Sequence, residues 1–186
     1  MPATTLDPRT ALVVIDLQQG IVALPTVHPA AEVISRSAKL AAAFREKGLP
    51  VVLVNVVDVA PGRNDGGPGG SVQFPEGWTE LVKELGQESG DITVSKKQWG
   101  AFYGTNLDLE LRRRGVTQIV LTGISTSIGV ESTARDAYEH GYNVTVAVDA
   151  VTDTDADAHH NAVTRIFPRL GETCGTDDVL ALLAAK

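Results

Sequence analysis

"TQIVLTGISTSIGVESTARDAYEHGYNVTVAVDA", residues 117–150, is the stretch that decides the fold. It opens on TQIVLTG (117–123), an apolar, β-branched run suited to a strand buried on both faces. A turn of small hydroxyl residues follows, then a helical pattern from about Ser127 to His140 that stops at Gly141. NVTVAVDA (143–150) is a second strand. Two strands joined by a helix of this length read as a βαβ unit, whose strands lie parallel.

The same alternation runs outward in both directions. Upstream, ALVVI (11–15) and PVVLVNVV (50–57) are strands flanking a helix from about Pro29 to Lys47, with Ala31, Ile34, Ala38, Ala41 and Ala42 as its expected apolar face. ITVS (92–95) is a third strand, and the helix NLDLELRRRG precedes residue 117. Downstream come a helix near 156–169, a short extended piece at Glu172–Cys174 and the terminal helix TDDVLALLAAK. Five or six parallel strands with right-handed crossovers predict a doubly wound, Rossmann-like α/β sheet covered by helices on both faces. The 186 residues are expected to form a single domain, 1–186. PGRNDGGPGG (61–70) is too glycine-rich for a regular element and reads as a surface loop or lid.

Composition narrows the function. The net charge is −7 with Lys and Arg scattered, and aromatics make up only 5%, which argues against nucleic acid as a partner. No apolar run approaches the ~20 residues of a membrane span, and the N-terminus MPATTLDPRT lacks the basic-then-apolar pattern of a signal peptide. A cytoplasmic protein binding neither membrane nor nucleic acid is expected. The one cysteine, Cys174, excludes an internal disulfide and a cysteine-rich metal site. DTDADAHH (153–160) lacks the Gly and Glu of a calcium loop, offering Ala158 and Thr164 instead, so its acids are expected to cap a helix. Neither metal nor cofactor is expected.

Ligands of open α/β sheets bind beyond the carboxyl ends of the strands. Three groups land there: Asp16 after the first strand, Lys96 and Lys97 after the third, and the GISTSIG turn after the fourth. A carboxylate, an ammonium and a helix N-terminus are a plausible pocket for a small molecule. Ser125 and Ser127 approach but do not match a nucleophile elbow, so turn and cap hydrogen bonds are expected of them. Trp99, Phe102 and Tyr103 either wall the pocket or pack in the core.

The ordered segments VVIDLQQG, SKKQWGAFYGTNLDLELRRRGV and LTGISTSIGVESTARDA resemble the isochorismatase-like hydrolases, also called the cysteine hydrolase superfamily. The resemblance runs from about Ala11 to the last helix. It implies a six-stranded parallel sheet in a three-layer α/β/α sandwich, and a dimer or tetramer of the chain with itself. The family's Asp and Lys fall on Asp16 and Lys96, and a cis peptide commonly found in the turn would fall at Ile124–Ser125. The family's nucleophilic cysteine falls on Gly129, which has no side chain. That closes the covalent thioester route and favours acid-catalysed hydrolysis of a vinyl ether or related bond by water, as in isochorismatases that share an Ile-Gly pair here. Gln18, Trp99, Phe102, Ile124, Ser125 and Ile128 are the expected substrate contacts. Asp16 is then an acid, or, if Lys96 keeps it ionised, a base. The substrate is expected to be small and carboxylate-bearing, although VAPG, with Ala60, stands where isochorismatases carry a Gln. Asp58-Val59-Ala60 lacks the histidine of the zinc-dependent nicotinamidases. A degenerate member that binds a small molecule without turnover is the alternative.

Overall fold

The structure is a computed structural model that describes residues 3–65, 67, 69–70 and 72–185. Six parallel strands form one sheet: β1 (Thr10–Ile15), β2 (Val51–Val56), β3 (Ile92–Lys96), β4 (Gln118–Ile124), β5 (Asn143–Thr152) and β6 (Glu172–Cys174). Their spatial order is β3-β2-β1-β4-β5-β6, so strand order reverses beside β1, between β1 and β4. Every pairing is parallel. This is the doubly wound sheet expected from the alternation of strand and helix patterns.

The pleat sorts the apolar residues into two layers. Ala11, Val13, Ile15, Ile119 and Leu121 face one side, where they meet Leu107, Leu111, Val130, Ala134 and Ala137. Those partners come from α3 (Leu107–Arg113) and from the turn leading into α4 (Glu131–Glu139) and α4 itself. Leu12, Val14, Leu53 and Val120 face the other side. There they meet α2 (Ala30–Glu46) and α7 (Thr176–Ala184) through Val33, Leu40, Phe44, Val179 and Leu183. Short helices α1 (Gln19–Val22), α5 (Ala156–Asn161) and α6 (Phe167–Leu170) complete the chain. Among the described residues, no helix is long and apolar enough to cross a membrane.

Two expectations shift in detail. The buried face of α2 is Val33, Ser37, Leu40, Ala41 and Phe44, not the alanine-centred face. Ala31 and Ala42 are exposed. The larger side chains Leu40 and Phe44 turn the helix, because they remove more apolar area from water than alanine does. The helix expected over 156–169 is continuous in direction but widens into a π-helical segment at Ala162–Ile166 between α5 and α6. In the glycine-rich loop, Asn64 and Gly67 form an isolated antiparallel bridge. Gly66 and Pro68 of that loop, with Met1, Pro2, Ser71 and Lys186, lie outside the described residues.

Backbone approach beside the reversal point requires one glycine. Gly123 pairs with Ile15 and has φ 121°. A β-carbon there would stand 2.0 Å from the Ile15 carbonyl oxygen. Only a residue without Cβ lets β4 lie this close to β1.

Candidate active site

Asp16 leaves the carboxyl end of β1 with φ 52°, the left-handed region that Asp tolerates better than most residues. Its amide donates to the Val54 carbonyl at 3.0 Å, which fixes it to the end of β2. Lys96 ends β3, an edge strand whose burial alternates along its length. The alternation that buries Ile92 and Val94 carries Lys96 inward, while Lys97 points outward with its side chain 71% exposed. Lys96 is therefore the lysine that meets Asp16. Its Nζ lies 2.8 Å from Asp16 Oδ2, and both side chains are buried. Nζ also donates to the Trp99 carbonyl at 2.5 Å. Asp16 Oδ1 is buried, and no donor among the described residues reaches it.

These two side chains give Asp16 opposing pushes. Burial is the larger and raises the carboxyl pKa to about 6; the Lys96 ammonium pulls it down but does not prevail. The Asp16 carboxyl therefore stands well above the usual carboxylate range, and both acid and base roles stay open to it.

Gly129 closes the site from above. It lies in a π-helical turn, Thr126–Val130, between the Ile124–Ser125 cis peptide and α4. A β-carbon built on it would stand 3.1 Å from Asp16 Oδ2, 3.2 Å from Lys96 Nζ and 2.9 Å from Ile15 Cγ2. The structure therefore brings Asp16, Lys96 and Gly129 together.

The remaining expected contacts separate. Gln18 is fully buried, and its amide is committed to backbone: Oε1 accepts from Val56 N–H at 2.7 Å, and Nε2 donates to the Val56 and Trp78 carbonyls. It ties β1, β2 and the segment at Trp78 together and has no hydrogen-bonding group left over for a substrate. Phe102 packs in the core and stacks on His140 with ring centroids 5.1 Å apart. The side chain of Ile124 is buried in the layer under α2 and α7. Each of the three sits near the site in the chain, but burial takes its side chain elsewhere. Ser125 is half-buried at the turn, whereas Trp99 and Ile128 are 64% and 37% exposed at the rim. Tyr103 is 80% exposed.

Sequence reasoning missed what holds the turn. The buried Asp153 carboxylate accepts from Ser127 N–H at 2.7 Å and from Thr154 N–H at 2.8 Å. Thr126 Oγ1 lies 2.8 Å from His159 Nδ1. The His159 ring meets His28 edge-on at 4.8 Å, and its pKa is held down by burial and by that neighbour. Asp155 caps α5 by accepting from Ala158 N–H, the capping role read from the DTDADAHH run. The signal for Asp153 was its place at the end of a buried strand, the same signal that picked out Asp16.

Cys174 is distant from this constellation. It sits on β6, at the sheet edge opposite β3, and burial raises its thiol pKa to about 11. A groove of about 620 Å³ lies at the amino ends of the strands, lined by Arg9, Arg45, Arg113 and Arg114. Arg45 and Arg113 belong to the last turns of α2 and α3, where cations offset the helix dipole. Helix ends account for three of these four arginines, Arg45, Arg113 and the cap residue Arg114.

Comparison with known proteins gives one consistent result. The isochorismatase domain family matches residues 10–178. The chain is 47% identical over 182 residues to an uncharacterized isochorismatase family protein, YecD, of Escherichia coli O157:H7, covering 94% of this chain and 96% of that protein. It is 35% identical over 189 residues to the ureidoacrylate amidohydrolase RutB of Methylobacterium radiotolerans, covering 84% and 72%. The structure of an isochorismatase family protein from Burkholderia thailandensis superposes with a TM-score of 0.92 at 47% identity, covering 98% of each chain.

Proposed function

Because this chain belongs to the isochorismatase family of hydrolases, we propose that it hydrolyses a small carboxylate-bearing molecule with Asp16, Lys96 and water, forming no covalent intermediate on the protein. The observation that carries this reading is the Asp16–Lys96 pair, 2.8 Å apart beneath a residue without a side chain. No thiol or hydroxyl nucleophile projects from position 129, and Cys174 stands at the opposite edge of the sheet. The partnerless Oδ1 of Asp16 is the atom placed to exchange a proton with a ligand.

With a vinyl ether, protonated Asp16 delivers its proton to the alkene carbon. Water then adds to the resulting oxocarbenium ion, and the hemiketal collapses to an alcohol and a carbonyl compound while the proton from water returns to Asp16. Lys96 keeps the carboxylate compensated between the two states. The relationship to RutB favours a second reading in which ionised Asp16 is the base for water attacking an amide or ureido carbonyl. Ureidoacrylate carries a carboxylate, which supports the substrate class under either reading. A candidate partner for a carboxylate is Arg63, exposed in the loop after β2.

Turnover of a panel of enol ethers, including isochorismate, and of ureido and amide acids by wild type and Asp16→Asn tests the proposal. Asp16→Asn is expected to lose at least 100-fold in kcat on the accepted substrate, as loss of general acid–base catalysis does. Alkylation of Cys174 should leave the rate unchanged. A rate that falls as pH rises through about 6 identifies the acid role, and a rate that rises there identifies the base. No turnover by either protein across the panel would make the protein a binder, and equal measurable rates would remove Asp16 from the mechanism.

A further inference from the structure

The two halves of the site come from distant parts of the chain. Lys96 and Trp99 belong to the end of β3 and the loop after it, whereas Gly129 belongs to the turn between β4 and α4. One buried side chain joins them. Thr133, in the first turn of α4, has no exposed surface. Its Oγ1 donates to the Gly129 carbonyl at 2.7 Å and accepts from Ala101 N–H at 3.1 Å. A threonine hydroxyl bonding back to the carbonyl four residues earlier is common in helices. The second bond is not part of that local habit, since Ala101 lies 32 residues away in sequence. Ala101 in turn follows Trp99, whose carbonyl holds the Lys96 ammonium.

We infer that Thr133 is a positioning residue: its hydroxyl fixes the loop that holds Lys96 against the turn that carries Gly129, and so sets the enclosure of Asp16. The chain of contacts is continuous, from Asp16 Oδ2 to Lys96 Nζ, to the Trp99 carbonyl, along the backbone to Ala101 N–H, through Thr133 Oγ1 to the Gly129 carbonyl. Gly129 then faces the pair again, since a β-carbon there would stand 3.1 Å from Asp16 Oδ2 and 3.2 Å from Lys96 Nζ, which closes a loop around them. A hydroxyl suits this joint because it donates and accepts at once. Valine has nearly the same shape but can do neither. Serine keeps both functions.

This rests on reading Asp16 and Lys96 as the reacting pair, but its test needs no substrate. The Asp16 carboxyl is titrated by carbon-13 NMR in wild type, Thr133→Val and Thr133→Ser, with thermal unfolding as a check on the fold. Loss of the joint opens the enclosure, and burial is the larger influence on Asp16. The midpoint in Thr133→Val should therefore fall from about 6 by at least half a unit, with Thr133→Ser staying at the wild-type value. An unchanged midpoint in Thr133→Val overturns the inference, and so does an equal shift in both variants. Should Thr133→Val fail to fold, amide exchange in the wild type decides. An Ala101 N–H protected at the level of strand amides supports the joint, and one exchanging as fast as exposed loop amides overturns it. A protein that turns over none of the panel would still give these readings, so the two proposals fail separately.

Discussion

Strand β3 has an ion pair at each of its ends, and the two differ in completeness. At the amino end, Asp91 receives Arg45 Nε at 3.0 Å and a second guanidinium nitrogen at 2.7 Å, plus the Glu88 N–H at 2.9 Å. Arg45 also reaches the Leu85 carbonyl. Both carboxylate oxygens of Asp91 are therefore occupied, and the fork of the guanidinium matches them. At the carboxyl end, Lys96 offers a single point charge to one oxygen of Asp16 and leaves the other bare. Arg45–Asp91 is a closed joint between α2 and the start of β3. Asp16–Lys96 is an open one, with one buried carboxylate oxygen left without a hydrogen-bond partner. The difference teaches that burial alone does not set a carboxylate apart: Asp16 differs from Asp91 in keeping an unsatisfied oxygen beside a compact cation.

Removing the cation from each end should separate the two most strongly. Lys96→Met leaves Asp16 buried without its counter-charge, and breaking such a pair costs about 3–5 kcal/mol. Arg45→Met should cost less, about 2 kcal/mol, because the guanidinium side chain is partly exposed. Urea unfolding measures both, and turnover on the accepted substrate should vanish only with Lys96→Met. Equal catalytic loss from both would erase the distinction between the pairs.

A smaller effect comes from pH. The folded-state pKa of Asp16, about 6, lies above the ordinary value of 3.8, so the native protein holds this proton more tightly than the unfolded chain does. The stability tied to Asp16 is therefore present below about pH 4 and lost as pH rises through about 6. At 1.36 kcal/mol per unit this amounts to about 3 kcal/mol. The stability of wild type relative to Asp16→Asn should decline by that order between pH 4 and 7. A flat difference would mean that Lys96, not burial, governs Asp16.

The smallest change tests the roof over the open pair. Gly129→Ala places a methyl within 3.2 Å of Lys96 Nζ, Asp16 Oδ2 and Ile15 Cγ2. Lys96 Nζ and Asp16 Oδ2 end side chains able to give way, but Ile15 Cγ2 is a branch methyl of a buried strand residue and gives little, so the expected cost is about 1–3 kcal/mol. A crystal structure of the variant should show Nζ and Oδ2 farther apart than 2.8 Å. An unmoved pair with unchanged stability would show that the turn does not confine it.

The strands were legible because buried parallel strands leave continuous apolar runs, and Asp16 because a charge ends one of them. The motif resemblance picked Lys96 over Lys97, and the pleat of β3 supplies the physical reason, burying Lys96 and exposing Lys97. The face of α2 was misphased, since counting alanines ignores the larger area of Leu40 and Phe44. Gln18 and Phe102 looked available because they neighbour the site in the chain. Their partners, Val56, Trp78, His140 and Tyr142, lie 38 to 60 residues away. Arg45–Asp91, Asp153 and Thr133 share that opacity. Each acts through a partner brought close only by folding, and no local pattern announces such a partner.

Trp99 has one further consequence. It is one of only two tryptophans, its carbonyl is fastened to the site lysine and its indole stands largely in solvent at the rim. The molecule thus carries its own fluorophore beside the Asp16–Lys96 pair. Compounds that settle there would alter its emission, so ligands can be sought by light, without a label and before any reaction is known.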